Sequence, residues 1–187
     1  MADIPTKTAD LTATDLAELP SGMGQRFELI EGELITMPPA GNLHGAVSGY
    51  LHGELYVHVR QHKLGKLLSA ETGFYTRGDE RTVRAPDIAY IPSERIPKDG
   101  LPEGFSSIVP ALVVEVVSPH DRAAEIEAKV EEWLTFGVSL VWVVYPKTAH
   151  VVVYHQDRTS ITLKDDDLLD GEDVLSGFSL PIRSIFE

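Results

Sequence analysis

The sequence predicts a single α/β domain, in the form of a mixed β-sheet flanked by helices. Its segments follow the order hairpin, helix, strands, helix and further strands, which is typical of one sheet with helices packed against it. The runs over 110–119 and 140–144 are rich in Val and Leu, which indicates strands buried on both faces. A length of 187 residues with 43% hydrophobic content suits one domain with a substantial core.

The composition narrows the classes of function. The chain has no cysteine, which excludes disulfides and thiolate metal sites, so any metal would take oxygen or imidazole ligands. It has no apolar run of about 18 residues and no basic-then-apolar leader, so we expect a cytoplasmic protein without a membrane segment. A formal charge of −13 argues against a general nucleic-acid coat. Basic residues concentrated in the middle of the chain can still form a local basic rim, with Arg77, Arg81 and Arg84 as candidates.

Periodicity and turn residues divide the chain into predicted segments. Residues 1–11 are expected to be a loose leader, 12–25 a short helix and linker, 26–164 the core, and 165–187 an acidic loop and tail. The expected elements of the core are a hairpin over 27–37 that turns at Glu31 and Gly32, a helix over about 43–61, strands over 64–77, 81–91 and 110–119, a helix capped by Ser118 that ends at Phe136, a strand over 140–144 and a hairpin over about 151–163. Strand 140–144 and the C-terminal hairpin can offer edges to a partner chain, which is compatible with a homodimer.

Glu115 lies in the middle of the apolar run over 110–119, with two valines on either side. A carboxylate there would lose several kcal/mol of hydration unless it were paired, so we expect either a cation opposite it or a protonated side chain. In the alternative, Glu115 forms a buried ion pair with an arginine and has a purely structural role.

Asp87 is the first expected companion of Glu115. It follows Pro86 in a segment that otherwise reads apolar, so it too should be poorly hydrated. Two acids on neighbouring central strands predict an oxygen-ligand site for Mg²⁺ or Mn²⁺. The alternative for Asp87 is a strand-end side chain bonded to the local backbone.

Lys129 is the second expected companion. On the helix after Glu115 the apolar stripe runs through Ile126, Val130 and Trp133, and Lys129 falls on the side that faces the sheet. Its ammonium can therefore return to the Glu115 strand, where it could orient a water or stabilise charge on a phosphate. In the alternative, its stem lies on Trp133 and the ammonium reaches solvent.

Glu31 and His44 are weaker candidates. Glu31 sits at a hairpin tip, where acids are common for turn reasons alone, and His44 lies at a helix start, where an imidazole can cap or hydrogen-bond. The other histidines are too scattered to suggest a zinc site. The sequence contains no phosphate-binding glycine loop, no GxSxG motif and no dinucleotide fingerprint.

Taken together, these motifs resemble those of a known superfamily. Asp87 after Pro86, followed by Glu115 on the next buried strand, resembles the PD-(D/E)xK nucleases, whose core is a mixed sheet flanked by helices. The stretches FELIEGEL, Asn42-Leu-His44, APDIAYI, ALVVEVVSP, the Lys129-to-Trp133 helix and GVSLVWVVYP are similar to the bacterial Uma-two family of proposed restriction endonucleases. They span Phe27 to Pro146, which is most of the chain.

The resemblance implies a restriction-endonuclease-like core and a role for each candidate residue. Asp87 and Glu115 would be metal ligands, the carbonyl of Val116 a third ligand, and Glu31 and His44 the outer wall of the site. The superfamily lysine stands two residues after the Glu, where this chain has Val117, so Lys129 would supply that group from the following helix.

Three functions follow from these expectations. The first is a Mg²⁺-dependent endonuclease that hydrolyses DNA through a metal-activated water. The second is a catalytically inactive nuclease-fold module that binds or regulates. The third is a metal-dependent hydrolase of a small phosphorylated compound, which the acidic charge would tolerate better than DNA.

Overall fold

The computed structural model describes residues 10–19, 26–119 and 121–187. Most of the expected leader, the linker over 20–25 and His120 lie outside the described residues. The element bounds in chain order are α1 Ala13–Ala17, β1 Arg26–Ile30, β2 Glu33–Met37, α2 Asn42–His62, β3 Gly65–Ser69, β4 Ile88–Pro92, β5 Leu112–Val116, α3 Ala123–Phe136, β6 Leu140–Tyr145, β7 His150–His155, β8 Ser160–Lys164, β9 Leu168–Asp170 and β10 Ser179–Pro181.

A six-stranded sheet in the order β3-β4-β5-β6-β7-β8 forms the centre of the molecule. The β5–β6 pair is parallel, and the other neighbouring pairs are antiparallel. This mixed sheet with helices against it confirms the predicted fold class. Because β6 lies between β5 and β7, strand 140–144 has both edges paired and cannot offer one to a partner, contrary to our expectation. The outer strands of this sheet are β3 and β8.

The central strands are buried on both faces, and each face packs against a different helix. Even-numbered residues of β5 and β6, such as Val114 and Trp142, join the α2 residues Leu51 and Leu55 in one apolar cluster. Odd-numbered residues, such as Val113 and Val141, join Val130, Trp133 and Leu134 of α3 in another. Period-two alternation therefore assigns Glu115 to the α3 face of the sheet, beside Trp133.

Helix α3 ends where the sequence predicts and begins later than it predicts. Gly137 follows its last turn with φ 107°, the left-handed conformation that favours glycine. Its N-terminal flanking residue is Arg122 instead of Ser118. The reason is local: the Ser118 N–H donates to the Asp121 carboxylate at 2.8 Å, which closes a turn before the helix begins.

The expected strands over 64–77 and 81–91 are much shorter than predicted. Only Gly65–Ser69 and Ile88–Pro92 belong to the central sheet. Single β-bridges hold the chain between them: Leu29 with Val83 ties it to β1 of the hairpin, and Phe74 with Arg84 pairs two parts of this segment with each other. Pro86 has no N–H to donate to a ladder, so Asp87 lies just before β4.

The C-terminal segment 165–187 is part of the core, contrary to the predicted loop and tail. Strands β9 and β10 pair antiparallel, and the apolar residues between the acids are buried. The ones that join the α2-side cluster are Leu169, Leu175, Phe178, Leu180, Ile182 and Ile185. The acidic composition reflects only the solvent side of this segment. Within the described part of the chain, no helix combines the length and apolarity needed to cross a membrane.

Candidate active site

Asp87 lies just before β4, and its buried carboxylate has protein partners on both oxygens. Its Oδ2 accepts the Val116 N–H at 2.8 Å and lies 3.2 Å from Nε2 of His44. Its Oδ1 lies 3.2 Å from a guanidinium nitrogen of Arg26. Burial alone would raise the pKa of Asp87, but the contacts from His44, Val116 and Arg26 outweigh burial and lower that pKa. The partner backbone belongs to β5, so Asp87 is not a strand-end side chain that bonds locally.

Glu115 faces α3 from β5, with its side chain 12% exposed. The Trp133 Nε1–H donates to its Oε1 at 2.8 Å, and Nζ of Lys129 lies 3.5 Å from its Oε2. Burial raises the pKa of Glu115 to about 7, because the negative charges of Asp87 and Glu28 add to the effect of burial and Lys129 only partly opposes it. The positive charge beside Glu115 is that of Lys129, so the alternative of a buried ion pair with an arginine is wrong.

Lys129 lies between two carboxylates. Its Nζ is 3.2 Å from Oε1 of Glu28 and 3.5 Å from Oε2 of Glu115, and its side chain is 23% exposed. Burial disfavours its charged form, but the carboxylates of Glu115 and Glu28 outweigh burial and raise the pKa of Lys129. The predicted position beside Glu115 is confirmed, and the alternative of a lysine that reaches solvent does not describe this contact.

Glu28 is a member of this cluster that the sequence analysis missed. It lies on β1 with its side chain 1% exposed. Its Oε2 accepts from Arg84 at 2.9 Å, and its Oε1 accepts the Ala85 N–H at 3.2 Å. The available signal was an acid between the apolar residues Phe27 and Leu29 of a predicted strand, a weaker form of the signal that pointed to Glu115.

Glu31 does not join the cluster. It lies at the tip of the β1–β2 hairpin with φ 51° and a side chain that is 71% exposed. Its carboxylate pairs with Arg77, and its backbone N–H donates to Thr82. The carboxylate that this hairpin brings to Lys129 is therefore that of Glu28, because the strand residue points inward while the turn residue points to solvent. His44, in contrast, is buried, and its Nε2 lies 3.2 Å from Oδ2 of Asp87.

The three arginines expected to form a basic rim are already paired. Arg84 is buried and binds Glu28 and Glu132. Arg77 pairs with Glu31 and Glu132. Arg81 binds Asp10 and the carbonyl of Glu31. Arg84 is therefore too buried for the expected surface rim, whereas Arg77 and Arg81 stay 42% and 50% exposed and are paired with acids.

The donor atoms of the cluster suit a hard divalent cation. Among the described residues, no group of three or more His, Cys, Asp and Glu side chains is arranged to hold a metal ion. The carboxylates of Asp87 and Glu115 lie close enough to interact, and both are oxygen ligands of the kind that Mg²⁺ and Mn²⁺ prefer. A cation there would relieve the crowding of negative charge that raises the pKa of Glu115. Oδ2 of Asp87 already accepts from Val116 and contacts His44, whereas Oδ1 has the single contact with Arg26, so Oδ1 is the Asp87 oxygen with room for a cation.

Comparison with known proteins identifies the class of fold and then the family. The chain is similar to the crystal structure of a putative nuclease belonging to DUF820 from Anabaena variabilis ATCC 29413, with a TM-score of 0.80 at 22% identity over 94% of this chain and 97% of that chain. This match establishes the fold. The family model of Uma2, described as "Putative restriction endonuclease", matches residues 13–183. The protein therefore belongs to the Uma2 family, as the motifs predicted. A comparison with curated proteins found no match.

Proposed function

We propose that this protein is a metal-dependent endonuclease that hydrolyses phosphodiester bonds of DNA. The family and the fold support a nuclease. The observation that carries the finer proposal is the Lys129 ammonium, which lies 3.5 Å from Glu115 in a buried cluster that also contains Asp87. Buried acids next to a lysine are the groups that phosphoryl chemistry with a hard cation needs.

Each residue of the cluster has a defined task in this proposal. Asp87, Glu115 and the Val116 carbonyl would hold Mg²⁺ or Mn²⁺, which supplies Lewis acidity when bound. The Trp133 N–H fixes one Glu115 oxygen at 2.8 Å, which limits rotation of that carboxylate. Lys129 keeps its positive charge because its pKa is raised, so it can hold a phosphate oxygen or orient a water beside Glu115. His44 holds Asp87 from the start of α2.

The direct test is cleavage of a supercoiled plasmid in the presence of Mg²⁺, Mn²⁺ or a chelator. We expect cleavage with metal, none with chelator, and none by Asp87→Asn, which keeps the shape of the side chain and removes its charge. A parallel arm with a small phosphodiester separates a nuclease from a hydrolase of small compounds. Activity of Asp87→Asn equal to that of the wild type would refute the assignment of this site.

A second function, an inactive module that keeps the nuclease fold, is favoured by one specific observation. The Asp87 carboxylate has three protein partners, Arg26, His44 and the Val116 N–H, so it is neutralised without a metal. If Mn²⁺ neither stabilises the protein nor supports cleavage, this second reading replaces the first.

We also propose that the protein acts as a homodimer through the outward face of α2. Four of the large apolar side chains exposed on described residues belong to this helix, namely Leu43, Tyr50, Tyr56 and Val57. On a chain with a formal charge of −13, this face carries only Glu54 between Asn42 and Val59. Two copies can therefore meet over this stretch without strong repulsion, because the one arginine of α2, Arg60, lies in its last turn.

Light scattering tests this dimer. We expect a dimer for the wild type and a monomer for the double variant Tyr50→Glu, Val57→Glu, because like charges would then oppose each other across the contact. Ile161→Glu, at an exposed apolar position on the edge strand β8, is the matched control. A wild type that is monomeric at high concentration, or a dimer broken only by Ile161→Glu, would contradict the proposal.

A further inference from the structure

Acidic and basic side chains alternate from the candidate active site to the surface. The order is Glu115, Lys129, Glu28, Arg84, Glu132, Arg77 and Glu31. Nitrogen–oxygen distances along the inner part are 3.5 Å from Lys129 to Glu115, 3.2 Å from Lys129 to Glu28, 2.9 Å from Arg84 to Glu28 and 3.0 Å from Arg84 to Glu132. Arg77 lies 3.5 Å from Glu132 and also pairs with Glu31.

The inner members of this chain of ion pairs are buried and the outer ones are not. The side chains of Glu28, Arg84 and Glu132 are 1%, 8% and 9% exposed, whereas those of Arg77 and Glu31 are 42% and 71% exposed. Buried ion pairs are poor sources of stability, because desolvation offsets most of their attraction. The Arg84 Nε is moreover buried without a hydrogen-bond partner, which costs further stability. This cost calls for an explanation other than stability.

The hydrogen-bonding atoms of Arg84, Glu28 and Glu132 indicate what these buried side chains do. One Arg84 nitrogen binds Oε2 of Glu28 and the other binds Oε2 of Glu132, so Glu132 sets the orientation of the guanidinium. Oε1 of Glu28, the oxygen that Arg84 does not use, contacts Lys129. Glu132 and Lys129 are three residues apart on α3 and so lie on the same side of that helix. Arg84 therefore fixes the Glu28 carboxylate whose second oxygen holds Lys129.

We infer that Arg84 and Glu132 are positioning residues of the nuclease site, which act through Glu28 to hold the Lys129 ammonium beside Glu115. This inference rests on the proposed function for its effect on catalysis. Its effect on the geometry of Glu115 does not depend on that function. Without Glu132, the guanidinium of Arg84 loses one of its two anchors, and the Glu28 carboxylate is then held more loosely at Oε2 and relies on the Ala85 N–H and Lys129 at Oε1.

The test compares two neighbouring substitutions on α3. Glu132→Gln removes one buried charge from the chain of ion pairs and keeps the shape of the side chain. Glu131→Gln is the matched control, because Glu131 pairs with Arg158 at 2.6 Å on the surface, where both side chains are 56% exposed. Arg84→Lys serves as a second variant that keeps the positive charge but cannot bridge two carboxylates in the same fork geometry.

The two tryptophans provide a readout that does not require activity. The Trp133 indole N–H donates to Glu115, whereas the Trp142 indole N–H is buried without a partner. In ¹⁵N-labelled protein, Glu132→Gln and Arg84→Lys should shift the Trp133 indole resonance and leave that of Trp142 in place. Glu131→Gln should move neither. In plasmid cleavage, kcat should fall about 10- to 100-fold for the first two variants with little change in KM, the usual cost of a lost supporting partner.

A Trp133 resonance that stays in place in both variants would overturn the inference, and so would one that moves together with the Trp142 resonance. So would a kcat of Glu132→Gln equal to that of Glu131→Gln. If the wild type does not cleave DNA at all, the proposed function fails, but the indole resonances still decide whether the chain of ion pairs positions Glu115.

Discussion

Replacement of Lys129 by Met is the sharpest test of the proposed mechanism, because it removes the ammonium and keeps most of the stem. The structure sets the size of the effect. Lys129 lies 3.5 Å from Glu115 and 3.2 Å from Glu28, so its loss leaves two acids without their shared cation. Loss of one partner of a buried pair costs about 3–5 kcal/mol of stability. We expect the lower end, about 3 kcal/mol, because Glu115 has a pKa of about 7 and can take up a proton.

The effect on catalysis should exceed what this loss of stability explains. At a temperature where the variant is folded, plasmid cleavage should slow by about 100-fold or more, the scale of one well-placed electrostatic group. The shift in melting temperature caused by Mn²⁺ should persist or increase, because a positive neighbour of the cation is gone. Lys147→Met, on the exposed turn after β6, is the control and should cleave as the wild type does. If Lys129→Met also cleaves at the wild-type rate, Lys129 is a structural side chain and the mechanism is wrong.

Three further predictions concern the same cluster. The melting-temperature shift caused by Mn²⁺ in the wild type should disappear in the double variant Asp87→Ala, Glu115→Ala, and equal shifts in both proteins would remove the metal site. The second prediction concerns pH in the presence of chelator. The pKa of Glu115 is raised to about 7 in the folded protein, so between pH of about 4.5 and 7 the folded state holds a proton on Glu115 that the unfolded state has lost. The contribution of Glu115 to the free energy of unfolding should therefore fall by about 3 kcal/mol as pH rises through this range. Glu115→Gln should abolish that part of the pH dependence in urea titrations. Asp87 behaves in the opposite way: its pKa is lowered in the folded protein, so its contribution to stability is lost only as pH falls below 3.8, the ordinary pKa of an aspartate. Finally, Arg84→Met should cost about 3–5 kcal/mol because it leaves the carboxylates of Glu28 and Glu132 buried without their cation. Arg158→Met, at the exposed pair with Glu131, should leave the urea midpoint almost unchanged, and similar midpoints for the two variants would contradict the burial argument.

Local signals in the sequence were enough to predict the framework of the fold and to single out Asp87, Glu115 and Lys129 of the candidate site, but not Glu28. Val-rich strands bounded by Pro and Gly predict β5 and β6 because burial on both faces leaves no polar alternation to find. Helical spacing placed Lys129 on the side of α3 that faces the sheet. Acids inside apolar runs predicted that Asp87 and Glu115 would need partners, because an unpaired buried carboxylate is too costly.

Long-range pairing was decided only by the tertiary structure. Arg84 and Glu28 are 56 residues apart, and Asp87 and the Val116 N–H are 29 apart, so no local pattern links them. The sequence shows that Arg77, Arg81 and Arg84 are basic, but only the fold of the segment before β4 onto the hairpin decides that acids pair with them. The same holds for the hairpin, where register turns Glu28 inward and leaves Glu31 in solvent. It holds also for the C-terminal segment, whose apolar residues enter the core only because the surface beside α2 is there to receive them. Charge and hydrophobicity are properties of each residue, whereas pairing depends on which residues the folded chain brings together.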